Sequence, residues 1–201
     1  MNKRPLRRPA VALLGAVCVA CSSAACAPEV SVRDRSGERR GVELRDGEIA
    51  RVLQTIHEET IAQTRGVTPR LVHPDVQSFA DDLRIEHEDG WQELALVLEA
   101  AAIEPEDREA VVEIRQASLD VEGLVEDASH GHVDEEYLQG QAALLSYAAS
   151  VFDARLLADA KNAQLRANLR VWRNRIQTEL ERARTLREAL LLEARRASFT
   201  W

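Results

Sequence analysis

Cysteine is confined to Cys18, Cys21 and Cys26 in a chain of 201 residues, so the rest of the sequence can form neither a disulfide nor a thiolate metal site. Aromatic residues make up only 4%, proline stops at Pro105 and glycine at Gly140. A chain so poor in these, and rich in Ala, Leu, Glu and Arg, builds helices rather than a β-sandwich or a doubly wound sheet. Lysine occurs only as Lys3 and Lys161, and the formal charge is −8. That sign opposes a phosphate-binding footprint and excludes nucleic acid as a partner. Gly-x-Ser-x-Gly, a Gly-rich phosphate loop, a dinucleotide fingerprint, His-Glu-x-x-His and Glu-x-x-His are all missing. What remains, 45% hydrophobic and 30% charged, suffices for one domain with a sizeable core.

The beginning of the chain reads as an address. Lys3, Arg4, Arg7 and Arg8 precede the apolar run Ala10 to Ala20, which is too short to span a bilayer. Small residues before Cys21 resemble the lipobox of bacterial lipoproteins, in which cleavage before the cysteine is coupled to acylation of its thiol. Residues 1–20 are thus expected to be a signal peptide and Cys21 the lipidation site, with Cys26 as the alternative. An ordinary signal cut near Ala25, without lipid, is the plainer reading. Residues 21–45 would then be anchor site and disordered tether, since Pro28 to Arg45 is polar, charged and without apolar period. The expected partner is a membrane, through the anchor, with the domain facing the periplasm. Ser22 favours the outer membrane.

From Asp46 to Trp201 the apolar residues repeat at helical spacing. Asp46 is a plausible N-cap for a first helix with Ile49, Val52, Leu53, Ile56 and Thr60 on its stripe, ending near Thr64 to Val67. Pro74 opens a second, to about Ala102, whose stripe is Phe79, Leu83, His87, Trp91, Leu94, Leu98 and Ala101, with Gly90 a weak point. Pro105 starts a third, with Ile114, Ala117, Val121, Leu124 and Ala128 inward and Gly131 at its end. Asp134 caps a fourth carrying Leu138, Ala142, Leu145, Ala149, Phe152 and Leu156. After a break at Lys161-Asn162, the longest helix carries Leu165, Leu169, Trp172, Ile176, Glu179, Ala183, Leu186 and Leu190. Four long helices with an additional shorter one is the layout of a ferritin-like four-helix bundle, and a simple up-down array is the alternative. Residues 46–160 hold 7 basic and 26 acidic side chains, residues 161–201 hold 10 and 4. The last helix is a basic stave in an acidic barrel, which favours its docking against its neighbours.

Three polar positions sit on or beside these stripes: Glu59 next to Thr60, Glu86 with His87, and Glu179. An imidazole and carboxylates converging from three helices could hold iron, manganese or zinc. Equally, His87 could be a satisfied core histidine and the glutamates could pair with arginine, in which case no cofactor is expected. Asp127, His130, His132, Asp134 and Glu135 gather in one turn, where they could hold zinc or nickel weakly or simply cap and face helix ends. His57 and His73 fall near helix and loop surfaces and receive no role. The tail Ser198-Phe199-Thr200-Trp201 could cover the bundle end or touch a partner.

DGEIARVLQTIHEETIAQ (Asp46 to Gln63), VQSFADDLRIEH (Val76 to His87), YLQGQ (Tyr137 to Gln141), Phe152-Asp153 and LRANL (Leu165 to Leu169) are similar to the bacterial exported ferritin-like proteins known as domain of unknown function 4142. The likeness covers roughly residues 46–192. It implies the fold and the envelope location, and places the family's Phe-Ala run and acidic-His pair on Phe79, Ala80, Glu86 and His87, with its helix-one glutamate near Glu59. Where relatives carry a His in each of the last two helices, this chain has Leu145 and Glu179, a poorer set for two metals. The expectation is therefore a lipid-tethered helical domain that binds or scaffolds without catalysing. A ferritin-like metal-binding protein with a degenerate core site, using Glu59, Glu86, His87 and Glu179, is the alternative.

Overall fold

The computed structural model describes residues 43–107, 109–129 and 131–198; Cys21, Cys26, the signal, nearly all of the tether, His130 and the last three residues lie outside them. Helix α1 spans Asp46–Val67 and runs through a 3₁₀ turn, Thr68–Arg70, to α2, Pro74–Ala101. Helix α3 is Glu109–Asp127, and α4 is Val133–Val151, prolonged by a π-turn at Phe152–Leu156 and the short α5, Leu157–Asp159. Helix α6, Ala163–Ser198, is the longest at 36 residues. No strand occurs among the described residues: the fold is an all-α bundle.

The helices close a ring in the order α1, α2, α6, α4, α3, back to α1. Helix α1 is the more buried of the first pair, with 13 of its 22 residues buried, against 8 of 28 in α2. Close approach rests on glycine in three places. A Cβ on Gly47 would come 2.5 Å from the Glu104 carbonyl, one on Gly140 2.6 Å from Val121 Cγ1, and one on Gly90 1.9 Å from Trp172 Cζ2. Gly90 is therefore not a weak point in α2 but the recess that receives the Trp172 indole. This displaces the expected stripe: Trp91 is 41% exposed while Gly90 and Leu94 are buried. On α3, Ser118 is buried where Ala117 was expected.

Two aspartates expected to cap their own helices serve other segments instead. The N-cap of α1 is Arg45, whose N–H donates to Glu48 Oε2 at 2.9 Å. Asp46, one residue later, accepts the backbone N–H groups of Lys161 and Asn162 at 2.8 and 2.9 Å. Asp159 returns the bond by accepting the Leu44 N–H at 2.9 Å, and Lys161 pairs with Glu43 at 3.0 Å. Leu44 is itself buried, so the folded body starts before Asp46 and the tether ends sooner than Arg45. In the same way α4 is preceded by His132 as N-cap, and Asp134 accepts from the N–H groups of Val72 and His73 at 2.9 and 3.0 Å. In both places a carboxylate satisfies donors at a turn that follows or precedes a helix far away in sequence.

The basic last helix docks as its charge suggests. Arg173 forks onto Asp153, Arg175 meets Glu93, Arg182 meets Asp82 and Arg187 meets Glu135. These pairs are partly exposed, so each contributes about 0–1 kcal/mol and together they orient the helix more than they hold it.

The apolar core is in two parts. One contains Leu53, Ile56, Leu94, Leu98, Leu145 and Ile176; the other contains Val67, Leu83, Val125, Leu138 and Ala183. Between them every helix of the ring contributes a buried polar side chain: His57, Thr60, Gln63 and Thr64 from α1, His87 from α2, Ser118 from α3, Gln141 from α4 and Glu179 from α6. A polar layer therefore crosses the middle of the bundle.

Candidate functional site

Helical spacing builds this layer. On α1, Leu53, His57, Thr60, Thr64 and Val67 follow one another at intervals of four and three residues, so they share a face. His87 lies on the inward face of α2 one turn from Leu83 and Gly90, and Glu179 lies between Ile176 and Ala183 on α6. The threonines bond back to their own helix, Thr60 to the Ile56 carbonyl and Thr64 to that of Thr60, each at 2.8 Å. Gln141 donates to Gln63 through one amide contact.

The histidines and the glutamate form a line. His57 Nδ1 stands 3.1 Å from His87 Nδ1, and His87 Nε2 stands 3.4 Å from Glu179 Oε2. Both imidazoles are fully buried and Glu179 is 2% exposed. A carboxylate oxygen accepts, so His87 carries a proton on Nε2; with His87 neutral, its Nδ1 accepts from the Nδ1–H of His57. Among the described residues, His57 Nε2, Glu179 Oε1 and Trp172 Nε1 are then buried without a hydrogen-bond partner. The Trp172 ring stands edge-on to His57 at 4.3 Å between centroids and 5.3 Å from His87. Burial, then the neighbouring His87 and Arg175, push the His57 pKa well below the usual imidazole range, so His57 is neutral at physiological pH.

Glu86 flanks the line on the solvent side. It lies 3.9 Å from Arg182, and burial followed by the proximity of Glu179 raises its pKa. Glu59 does not join it. Two residues beyond His57 and so on another face of α1, Glu59 bonds Arg115 of α3 at 3.3 Å, and partial burial raises its pKa. Of the four residues expected to converge, the fold brings together Glu86, His87 and Glu179 and sends Glu59 elsewhere. His57, expected at a surface, takes the inner place. Among the described residues no group of three or more His, Cys, Asp or Glu side chains is arranged to hold a metal ion: the donors run along a line instead of around a centre.

The turn before α4 is structural in what it shows. His132 lies 3.7 Å from Glu135, Glu135 also meets Arg187, and Asp134 is spent on the Val72 and His73 N–H groups. Open grooves lie on the surface, among them one lined by Ile61, Arg65, Glu88 and Trp91, one by Ser78, Thr178, Arg182 and Leu186, and one by Leu96, Val97, Ala167 and Val171. Compared with family models, with curated proteins and with solved structures, the chain finds no match in any of the three.

Proposed function

We propose that the chain is a lipid-tethered domain of the bacterial envelope, facing the periplasm from the outer membrane, that acts by binding or scaffolding and not by catalysis. The closure of the His57–His87–Glu179 line supports this most: its exposures of 0, 0 and 2% leave a substrate no way to reach this interior cluster of titratable groups. The clamp at Leu44 to Asp46 suits a tether, because a pull on the chain there is passed to the α5–α6 turn through several hydrogen bonds. Among the described residues no helix is long and apolar enough to cross a membrane. The likeness to the domain of unknown function 4142 agrees with the location. Labelling with a fatty-acid analogue should mark the wild-type chain and fail in Cys21→Ser. Labelling that survives there and is lost in Cys26→Ser moves the site, and an unlabelled chain in the soluble fraction contradicts the tether.

A second reading is favoured by one observation, the meeting of Glu86, His87 and Glu179 on adjacent faces of α2 and α6. These could take up iron, manganese or zinc if the side chains turned to share a centre. Elemental analysis of untagged protein tests it: a stoichiometric divalent metal lost in His87→Ala supports the reading, and less than a tenth of an equivalent removes it.

A further inference from the structure

Two imidazole Nδ1 atoms 3.1 Å apart cannot both present bare lone pairs, for the gap needs something positive in it. A proton shared from His57 fills it in the arrangement described above. A metal ion that accepts two nitrogen ligands would fill it as well. We propose that the space between His57 Nδ1 and His87 Nδ1 is a binding site for a monovalent soft metal ion of the copper(I) class, with Glu179 positioning His87 from the opposite ring nitrogen.

Coordination number points that way first. The described residues offer no three-donor group, which a tetrahedral or octahedral divalent ion needs, whereas a closed-shell monovalent ion is satisfied by two. Charge comes second. An imidazole ligates a metal through a bare ring nitrogen, and burial keeps His57 neutral. The Glu179 carboxylate, tied to His87 Nε2 at 3.4 Å, supplies one negative charge against one positive, while a divalent ion would leave an uncompensated charge in the core. Third, both imidazoles are fully buried, a setting that favours a weakly hydrated monovalent cation over a strongly hydrated divalent one.

The proton balance closes within His57. On binding, its Nδ1 proton moves to Nε2, a nitrogen that now has no partner, so both Nδ1 lone pairs face the metal and no net proton is released. With metal–nitrogen bonds of about 2 Å, the rings part by under roughly 1 Å, a motion that among the described residues breaks no hydrogen bond of His57 other than the one to His87. The carboxylate–imidazole–metal order is a recurring way of fixing a ligand's tautomer, and loss of the carboxylate costs about 10–100-fold in affinity.

This proposal uses different ligands from the second reading above and is independent of the tether. The test is a titration of the untagged full chain, with Cys18, Cys21 and Cys26 alkylated, using silver(I) as a redox-inert probe and copper(I) without oxygen. One equivalent is expected, with X-ray absorption showing two nitrogen neighbours. His57→Gln and His87→Phe should each weaken binding at least tenfold, Glu179→Gln should weaken it while keeping one equivalent, and Glu59→Gln should change nothing. Far-UV circular dichroism confirms folding, and His57→Leu serves if His57→Gln unfolds. Binding below a tenth of an equivalent on folded protein, or binding undiminished in both His57 variants, overturns the proposal. A divalent ion held at one equivalent through Glu86 and Glu179 without His57 overturns it while supporting the second reading; no metal of either class overturns both.

Discussion

Gly90→Ala exposes how tightly α2 and α6 are fitted. In a helix interior alanine is favoured over glycine by about 1 kcal/mol, so a loosely packed Gly90 would gain stability on substitution. The structure demands the opposite. An added Cβ falls 1.9, 2.5 and 2.7 Å from Cζ2, Cη2 and Cε2 of Trp172, and the indole has no free direction because it is fully buried against both histidines. Overpacking of a dense core costs about 1–3 kcal/mol. With so short an approach we expect a cost at the top of that range, which leaves a net loss of about 2 kcal/mol after the helix gain. Gly123, with no atom within 4 Å of an added Cβ, is the control: Gly123→Ala should gain up to about 1 kcal/mol. Urea denaturation followed by far-UV circular dichroism measures both. Combining Gly90→Ala with Trp172→Leu should cost less than the sum of the two single changes, since the smaller side chain vacates the contested space. A Gly90→Ala protein as stable as wild type, with Gly123→Ala behaving as stated, would refute the recess.

Gly140→Ala should lose about 0–2 kcal/mol net, the overpacking against Val121 Cγ1 at 2.6 Å less the helix gain, and combined with Val121→Ala it should cost less than the sum of the two single changes, read in the same denaturation assay. Ala102 ends α2 with φ of 51°, a left-handed conformation that costs a Cβ-bearing residue about 1–2 kcal/mol; Ala102→Gly should therefore stabilise by about 0.5–1 kcal/mol after its greater unfolded-state entropy is deducted. Asp46→Ala removes the acceptor for Lys161 and Asn162 N–H and should cost about 1–2 kcal/mol. Because the folded chain holds the His57 pKa well below 6.5, the unfolded chain binds the extra proton between those two values. The His57 contribution is thus complete above pH 6.5 and declines as the pH falls below it, by up to about 1.4 kcal/mol per pH unit. Denaturation midpoints of wild type and His57→Leu between pH 5 and 8 should diverge in slope accordingly.

The helices and most of their inward faces are legible in the sequence, because burial of one face imposes a period that survives in a single chain. The stripe of α6 from Leu165 to Ala183 is buried throughout. What is not legible depends on the partner helix. Trp91 lies one turn beyond His87, but the place belongs to Gly90, because Trp172 arrives from α6 to fill it; nothing local to α2 announces that. Asp46 and Asp134 have the right residue type for caps and are spent on N–H groups more than 110 and 60 residues away, respectively. The π-turn at Phe152–Leu156 has no mark in the sequence that explains it.

His57 was legible in part. Its spacing from Leu53, Thr60, Thr64 and Val67 repeats the period of a buried face, but α1 is buried around more than half its circumference, so its apolar stripe reads as complete without the histidine. Glu59 carried the opposite ambiguity, adjacent to a buried threonine yet turned toward Arg115. A polar residue's place is decided by the neighbour that satisfies it, and that neighbour, on α2 for His57 and on α3 for Glu59, lies in another part of the chain.

Nitrogen NMR of the imidazole side chains tests the central claim most directly, that two histidines and a glutamate form a sealed line across the bundle. His57 is expected as the tautomer protonated on Nδ1 and bare on Nε2, with its shifts unchanged as the pH is lowered from 8 to about 5.5. Titration of His57 near pH 6.5, as for a solvated imidazole, would contradict it.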